Sequence, residues 1–335
     1  MTTTIASLSI AARATLNMHS LNNEGGEGNQ IQTRMVDIVG ADGQLHNVNA
    51  ISGDMLKHVL MEHFYQQARA HQAPLCESCK QFNTNRITAD RTFNKRAKDE
   101  KWNDTRFIHE MLATCAIDDV AGILVTEGRS TPRKSVSEFG WVLGMPGYVR
   151  TDTYFHVKYN PERGQEERAA DADEQKSGAN RGQSIFHRPA SSGVYAIVCH
   201  VELARIGYND IRQTYAIQPD ERQKRARLLL ESLLHTFVEL NGAMRSTQLP
   251  HLVALEGALT TSSGTLPAPL ISPLTGGGDD RQMYRRQLEE ITQALNGTGA
   301  TQAVRLDTFD TIGEFAGLMR GLIDSSVPFA LVEER

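Results

Sequence analysis

LNMHSLNNEGGEGNQIQTRMVDIVGADGQLHNVNAISGDMLKH, residues 16–58, decides how the chain is read. A strand enters it, a polar Gly/Asn-rich excursion fills it, and a helix start closes it. Over residues 5–18, Leu8, Ile10, Ala12, Ala14, Leu16 and Met18 fall on one side, with Ser7, Ser9, Arg13, Thr15 and Asn17 on the other. Period two makes a strand with one buried and one polar face. That polar face suits either water or a bound polyanion. At the far end, Ser52 is a good N-cap and Asp54 sits in the first turn. Met55, Leu56, Val59, Leu60, His63 and Phe64 trace an apolar face, so a helix is expected over 51–67. Its N-terminal amides can receive a phosphate, with Lys57 one turn in; an ordinary capped core helix with a solvated Lys57 is the competing reading. The excursion carries Gly25, Gly26 and Gly28 but no dinucleotide fingerprint, because the glycine spacing is wrong and no helix follows directly. It is either a plain surface loop or a wall that holds a nucleic-acid backbone. His58 and His63 sit five apart, about 140° around a helix. Zinc-protease histidines sit four apart, so that reading is excluded.

Working outward, 335 residues with 40% hydrophobic and 22% charged composition can bury a large core. No window has the long uncharged apolar run of a membrane helix. The N-terminus lacks a basic leader with an apolar core and is expected to be mature sequence. Four cysteines are too few for a disulfide framework, which points to a reducing cytoplasm. The net charge of -5 excludes a uniformly basic nucleic-acid coat but not a local groove. Cations do cluster: Arg86, Arg91, Lys95, Arg96, Lys98, Lys101 and Arg106; Arg129, Arg133 and Lys134; and Arg222, Lys224, Arg225 and Arg227. Acids concentrate at Glu162 to Glu174.

HQAPLCESCK (71–80) contains one Cys-x-x-Cys, half of a zinc site. Cys76 and Cys79, with His71 as a third ligand, give a possible structural zinc; two free thiols on a loop are the alternative. Residues 82–106 read as a polar, basic insertion with few core contacts and Trp102 as its single large anchor. A helix to about Ala116 and a strand over Ile123 to Val125 follow. GRSTPRKSVSEFGWVLG (128–144) mixes Arg and Lys with Phe139 and Trp141, which suits base stacking and phosphate contact, or else core packing of both aromatics. Residues 151–190 form a long hairpin with a charged tip, projecting from the body. SSGVYAIVCHVELARIG (191–207) is apolar on both faces at first, a central strand. Asp220 is expected to cap a helix ended by Gly242. GAMRSTQLPHLVALEGAL then runs a basic turn into another strand. TSSGTLPAPLISPLTGGGDD reads as a loop or linker, and helices near 281–296 and 308–323 close the chain. Stripped of insertions, the order is compatible with βαββαβ, an α+β antiparallel sheet with two helices on one face. Such sheets frequently bind single-stranded RNA on the open face, but no aromatic-rich RNP signature lies on these strands.

SLSIAARATLNMHSLNNEGGEGNQIQTRMV followed by NAISGDMLKHVL resembles the DevR-type (Cas7-like) backbone subunit of type I CRISPR Cascade interference complexes. SSGVYAIVCHVELARIG resembles that family's central strand, and NGAMRSTQLPHLVALEGAL its late basic turn. The likeness spans most of residues 7–258. It implies one elaborated domain over 1–335: an RNA-recognition-motif (ferredoxin-like) palm, helical fingers at about 60–115, and a thumb hairpin at about 151–190. It further implies copies that polymerise along a CRISPR guide RNA, each thumb kinking it at a regular interval. The guide would be presented to target DNA beside other Cascade subunits, without catalysis or a required cofactor. The residues implied at the RNA are Asn22, Asn29, Ser52, Lys57, Arg129, Arg245 and Ser246. His58 stands where the family carries a second basic residue, and Phe155 and Phe186 are candidates to wedge beside a displaced base or to pack the hairpin base. The alternative is a subunit that cuts target RNA with an acidic loop residue, Asp37 or Asp42. No partnered base, metal cluster or nucleophile elbow supports that chemistry in the sequence.

Overall fold

The computed structural model describes residues 3–22, 25–27, 30–126, 128–159, 183–274, 282–297 and 302–332. Asn29, the hairpin tip at 160–182 and the acids of 162–174 lie outside these. The strands along the main path of the sheet are β1 (Ser7–His19), β2 (Met35–Val39), β3 (Leu45–Ile51), β4 (Val142–Tyr159), β5 (Gln183–Val201), β6 (His251–Ser262) and β7 (Val304–Phe309). The helices are α1 (Gly53–Ala70), α2 (Arg91–Asp99), α3 (Asp104–Thr114), α4 (Ala116–Ala121), α5 (Pro219–Val238), α6 (Met283–Asn296) and α7 (Ile312–Ser325). The strands join antiparallel in the order β7-β6-β1-β5-β4-β3-β2. Taken alone, β1, α1, β4, β5, α5 and β6 follow the strand–helix–strand–strand–helix–strand order, with the fourth strand beside the first and the third beside the second.

β1 sits between β5 and β6, with Ala12 opposite both Ile197 and Gly257. Its even side faces a large core: Leu8, Ile10, Ala12, Ala14 and Leu16 pack with Leu56, Leu60 and Phe64 of α1, Leu229, Leu233 and Phe237 of α5, and Phe315 and Met319 of α7. The polar side is covered as well, which corrects the reading of it as a surface for water or polyanion. The segment after β6, expected as a linker, crosses that face. Ser9 Oγ donates to the Ala268 carbonyl (3.0 Å), and the Arg13 guanidinium donates to the Pro273 carbonyl (2.7 Å). Arg13 is 3% exposed and stacks over the Tyr284 ring of α6. Ala11, Ala258, Tyr284 and Leu288 form a second small core there. Alternation predicted the parity of β1; the cover comes from residues more than 250 positions away in the chain.

Other boundaries moved. β2 and β3 form a hairpin added beside β4, where the sequence reading placed only a polar excursion. β7 was not anticipated. α5 is capped at Gln218 with Pro219 in its first turn, and it ends before Glu239 instead of at Gly242. α1 runs unbroken to Ala70, so the helical insertion begins only after it. That insertion packs into the main core instead of making few core contacts: Ile87, Phe93, Trp102 and Phe107 are buried and continuous with it, with Phe93 edge-on to both Trp102 (5.5 Å) and Phe107 (5.2 Å).

β4 and β5 remain paired beyond the sheet. β1 leaves β5 at Ser191, yet Thr151–Tyr159 continues opposite Gln183–Ser191 as a two-stranded ribbon. Gly193 permits the departure, because a Cβ there would lie 2.4 Å from the Tyr148 carbonyl oxygen.

Candidate nucleic-acid interface

Several predicted residues meet at the end of β1 from which the ribbon departs. Ser52 is the α1 N-cap, its hydroxyl accepting from the Met55 amide (3.2 Å). Asn22 is 7% exposed; it accepts from the Ser52 amide (3.2 Å) and donates to the Ala50 carbonyl (2.5 Å). Its amide is thus engaged in bracing the β3–α1 junction. Gly53 opens α1 so close to the neighbouring chain that a Cβ would lie 2.5 Å from the Phe139 carbonyl oxygen. The turn after α5 closes on the same place. Ala243 donates its amide to Leu21 (3.2 Å), and the Thr247 hydroxyl and Gln248 side chain bond Arg188 (2.9 Å) and the Pro189 carbonyl (3.0 Å) of the ribbon. Arg245 on this turn is held by Glu239 and Asn241, and Ser246 is exposed. His19, opposite Ser191 at the departure point, is buried edge-on to Tyr195 (4.9 Å). Burial pushes its imidazole down to about 4.

Lys57 lies along α1, on a cleft of about 290 Å3 shared with Asp54, His58, Phe82, Asn83 and Arg86. Among the described residues no carboxylate lies within ion-pair distance of its ammonium group. Burial, and then the neighbouring Arg86 charge, push the Lys57 pKa down. An anion here would relieve both effects. His58 is exposed, its ring 5.8 Å from Phe82. Arg86 and Asn83 were not singled out beforehand; their basic run was visible, but not which members face α1.

The remaining candidates disperse. Arg129 lies over the Phe107 ring (4.2 Å), bonded to Asp104 (3.2 Å) and the Trp102 carbonyl (3.1 Å). It borders a separate cleft with Arg91 and Lys98, which meets the Lys57 cleft at Asn83. Trp141 is exposed beneath Arg34 (5.0 Å), whereas Phe139 packs against the core. Two basic clusters turn three of their arginines inward. Arg133 and Arg225 both clasp the buried Asp119, and Arg222 lies over Tyr215 (3.7 Å). On the ribbon, Phe155 faces His187 and Phe186 faces His156. Successive side chains alternate faces, so the two phenylalanines lie on opposite sides and form no joint wedge. Phe155 is 60% exposed, while Phe186 sits between His156 and Arg188. Asp37 accepts from Asn47 (2.7 Å), and Asp42 pairs with His46 (3.0 Å), both within the β2–β3 hairpin.

Similarity to known proteins follows this architecture. The family described as CRISPR-associated negative auto-regulator DevR/Csa2 matches residues 10–278. The chain belongs to the DevR/Csa2 family. The match takes in the six-element core, its helical insertion and the ribbon, and stops before α6. A relative from Methanocaldococcus jannaschii, named CRISPR-associated protein Cas7/Cst2/DevR, is 26% identical over 280 residues, 78% of this chain and 82% of the relative. In solved structures, a chain of a CRISPR RNA-guided surveillance complex aligns with a TM-score of 0.50 at 10% identity, covering 95% of this chain and 98% of that one. A chain of a pre-nicking CRISPR RNA-guided surveillance complex aligns with a TM-score of 0.46 at 9% identity, over 95% and 99%.

The cysteine motif of this DevR/Csa2 member is not on a surface loop. Cys76 and Cys79 are buried and meet Cys115 and Asp118, their donor atoms all within 4.8 Å of one another. His71, expected as a ligand, is instead the exposed C-cap of α1 and is not in the cluster. Cys115 and Asp118 were missed; their three-residue offset repeats that of Cys76 and Cys79, with a carboxylate as the fourth donor. Sulfur contacts with Cys115 and Cys79 hold the Cys76 thiol low, and burial pushes the Asp118 carboxyl up.

Proposed function

We propose that this chain is a guide-RNA-binding backbone subunit of a CRISPR Cascade-type complex. In this reading the βαββαβ core is an RNA-recognition-type palm, the helical insertion after α1 the fingers, and the ribbon beyond Ser191 a thumb that reaches along the RNA to the next copy. Copies polymerise along the guide, kink it at regular intervals and present it for pairing with target DNA beside other Cascade subunits. The role is non-catalytic. Contacts are mainly to phosphate and sugar, hence sequence-tolerant and salt-sensitive. Linked neighbours raise the effective concentration, so each copy can bind weakly. Among the described residues no helix is long and apolar enough to cross a membrane; the complex is expected in the cytoplasm.

The observation that carries this reading is the Lys57–Arg86 cleft at the palm–fingers boundary, where two cations outnumber the one lining carboxylate, Asp54, and Lys57 is ion-paired to no described residue. Ser52 and Asn22 fix the start of the helix that presents Lys57. Arg245, Ser246 and the exposed His58 extend the polar surface, and Phe155 is an exposed aromatic on the thumb. Lys57→Glu should weaken guide-RNA binding and flatten its dependence on log salt by about 0.7 for a lost single-strand phosphate contact. The thermal midpoint should hold, since Lys57 makes no ion pair with any described residue. Wild-type protein that neither binds RNA in a salt-dependent way nor copurifies with CRISPR RNA would overturn the proposal. Magnesium-dependent cleavage of guide-complementary RNA, abolished by Asp37→Ala or Asp42→Ala, would replace the non-catalytic role with a nuclease.

A further inference from the structure

We infer that Cys76, Cys79, Cys115 and Asp118 bind a structural zinc ion that locks the fingers onto α1. The donor set is of tetrahedral size, with all four donor atoms within 4.8 Å of one another. With Zn–S near 2.3 Å and Zn–O near 2.0 Å, the S···O edge of a tetrahedral site is about 3.5 Å and the S···S edge about 3.8 Å. The Asp118 Oδ2 atom lies 3.6 Å from the sulfurs of both Cys76 and Cys79. The four residues come from two short segments with the same offset, Cys76-x-x-Cys79 after α1 and Cys115-x-x-Asp118 at the start of α4. The Cys79 amide donates to the Cys76 sulfur at 3.4 Å, a contact that favours the thiolate.

The adjacent aspartates sharpen the assignment. Asp118 and Asp119 are both fully buried. Asp119 is neutralised by two guanidiniums, Arg133 at 2.8 Å and Arg225 at 3.0 Å. Asp118 makes no ion pair with any described residue. One of its oxygens accepts only from the Ile87 amide (3.4 Å), and the other faces the thiols. A buried carboxylate requires a compensating positive charge, and three sulfurs with one carboxylate carry the formal charge of four thiolates. Soft thiolates select zinc over the hard cations. Four protein ligands leave no open position, so the ion is structural. On binding, the Zn–S and Zn–O bonds form as the thiols lose their protons to solvent. Cys79 also lines the Lys57 cleft, so the metal would set the wall that presents Asn83 and Arg86. The assignment stands whether or not that cleft binds RNA.

The test uses the full chain, purified without a metal-affinity tag. Elemental analysis should find about one zinc per chain. Cobalt replacement in the wild-type protein should give the intense visible bands of tetrahedral cobalt and the near-ultraviolet thiolate-to-cobalt charge transfer. This readout does not depend on any variant folding. Cys115→Ser and Asp118→Ala should lose most of the metal and lower the thermal midpoint, while His71→Ala should retain both and Cys199→Ser, at a thiol buried in the core away from the cluster, should retain the metal. Wild-type protein with no zinc after incubation with excess zinc, a Cys76–Cys79 disulfide in the freshly isolated chain, or zinc lost in His71→Ala would each overturn the assignment.

Discussion

Asp119→Asn should be among the most damaging single-atom changes in this protein. Asp119 lies in α4, and its two carboxylate oxygens accept from Arg133 of the 131–133 strand (2.8 Å), Arg225 of α5 (3.0 Å) and the Gly207 amide (3.0 and 2.9 Å). The side chains of all three charged residues are fully buried. One carboxylate therefore ties the helical insertion to the helix that backs the sheet. Asparagine keeps the shape but removes the charge, and its NH2 must face one of the guanidinium donors whichever way the amide turns. Removing one partner of a buried ion pair typically costs about 3–5 kcal/mol. Arg225 retains Glu221 (2.8 Å) and Arg133 retains Asp210 (3.0 Å), which places the expected loss near the lower end, about 3 kcal/mol. For a chain of this length that is a fall in thermal midpoint of about 4 °C. Urea unfolding at neutral pH measures it, with an unchanged slope expected. A loss below about 1 kcal/mol would mean that Arg133 and Arg225 do not depend on Asp119, and that Asp210, Glu221 and backbone carbonyls suffice to compensate their burial.

Three further outcomes are expected. His19 is buried neutral at about 4 against an ordinary 6.5, so its contribution is fully present above pH 6.5. It is lost as the pH falls through 4, by about 3 kcal/mol; His19→Phe should flatten a urea-midpoint profile between pH 7 and 4, and an unchanged slope would refute the assignment. Gly53→Ala should cost about 1–3 kcal/mol through the clash with the Phe139 carbonyl, although alanine by itself favours a helix by up to about 1 kcal/mol. A stabilised Gly53→Ala in thermal unfolding would show that α1 does not abut that strand. Phe155→Ala should leave the melting temperature unchanged and weaken assembly on RNA, while Phe186→Ala should lower the melting temperature; equal effects in both assays would contradict their placement on opposite faces.

Periodicity and capping fixed the main elements locally, and these were legible. The parity of β1, the Ser52 cap of α1, the long hairpin and the apolar central strand all follow from nearest-neighbour chemistry, and their order implies the core topology. The candidate site was legible as segments but not as a surface. Asn22 and Ser52 meet because the chain leaving the end of β1 runs beside the β3–α1 junction. Lys57 acquires Arg86 only because the chain after α1 folds back beside it. Charge clusters misled because a guanidinium has the same letter whether it faces solvent or a carboxylate: Arg13, Arg133, Arg222 and Arg225 are internal braces.

By itself, then, the sequence determined most of the core strands and helices, though not β2, β3 or β7, and that a Cys-x-x-Cys stood beside a basic insertion. Tertiary structure alone decided which cations are free, which face of β1 is covered, and which residues complete the cysteine pair. Periodicity and capping act within a few residues, whereas burial, ion pairing and donor geometry are set by segments far apart in the chain. Cys76 and Asp118 become neighbours only when the helical insertion closes, and nothing in either local sequence specifies that contact.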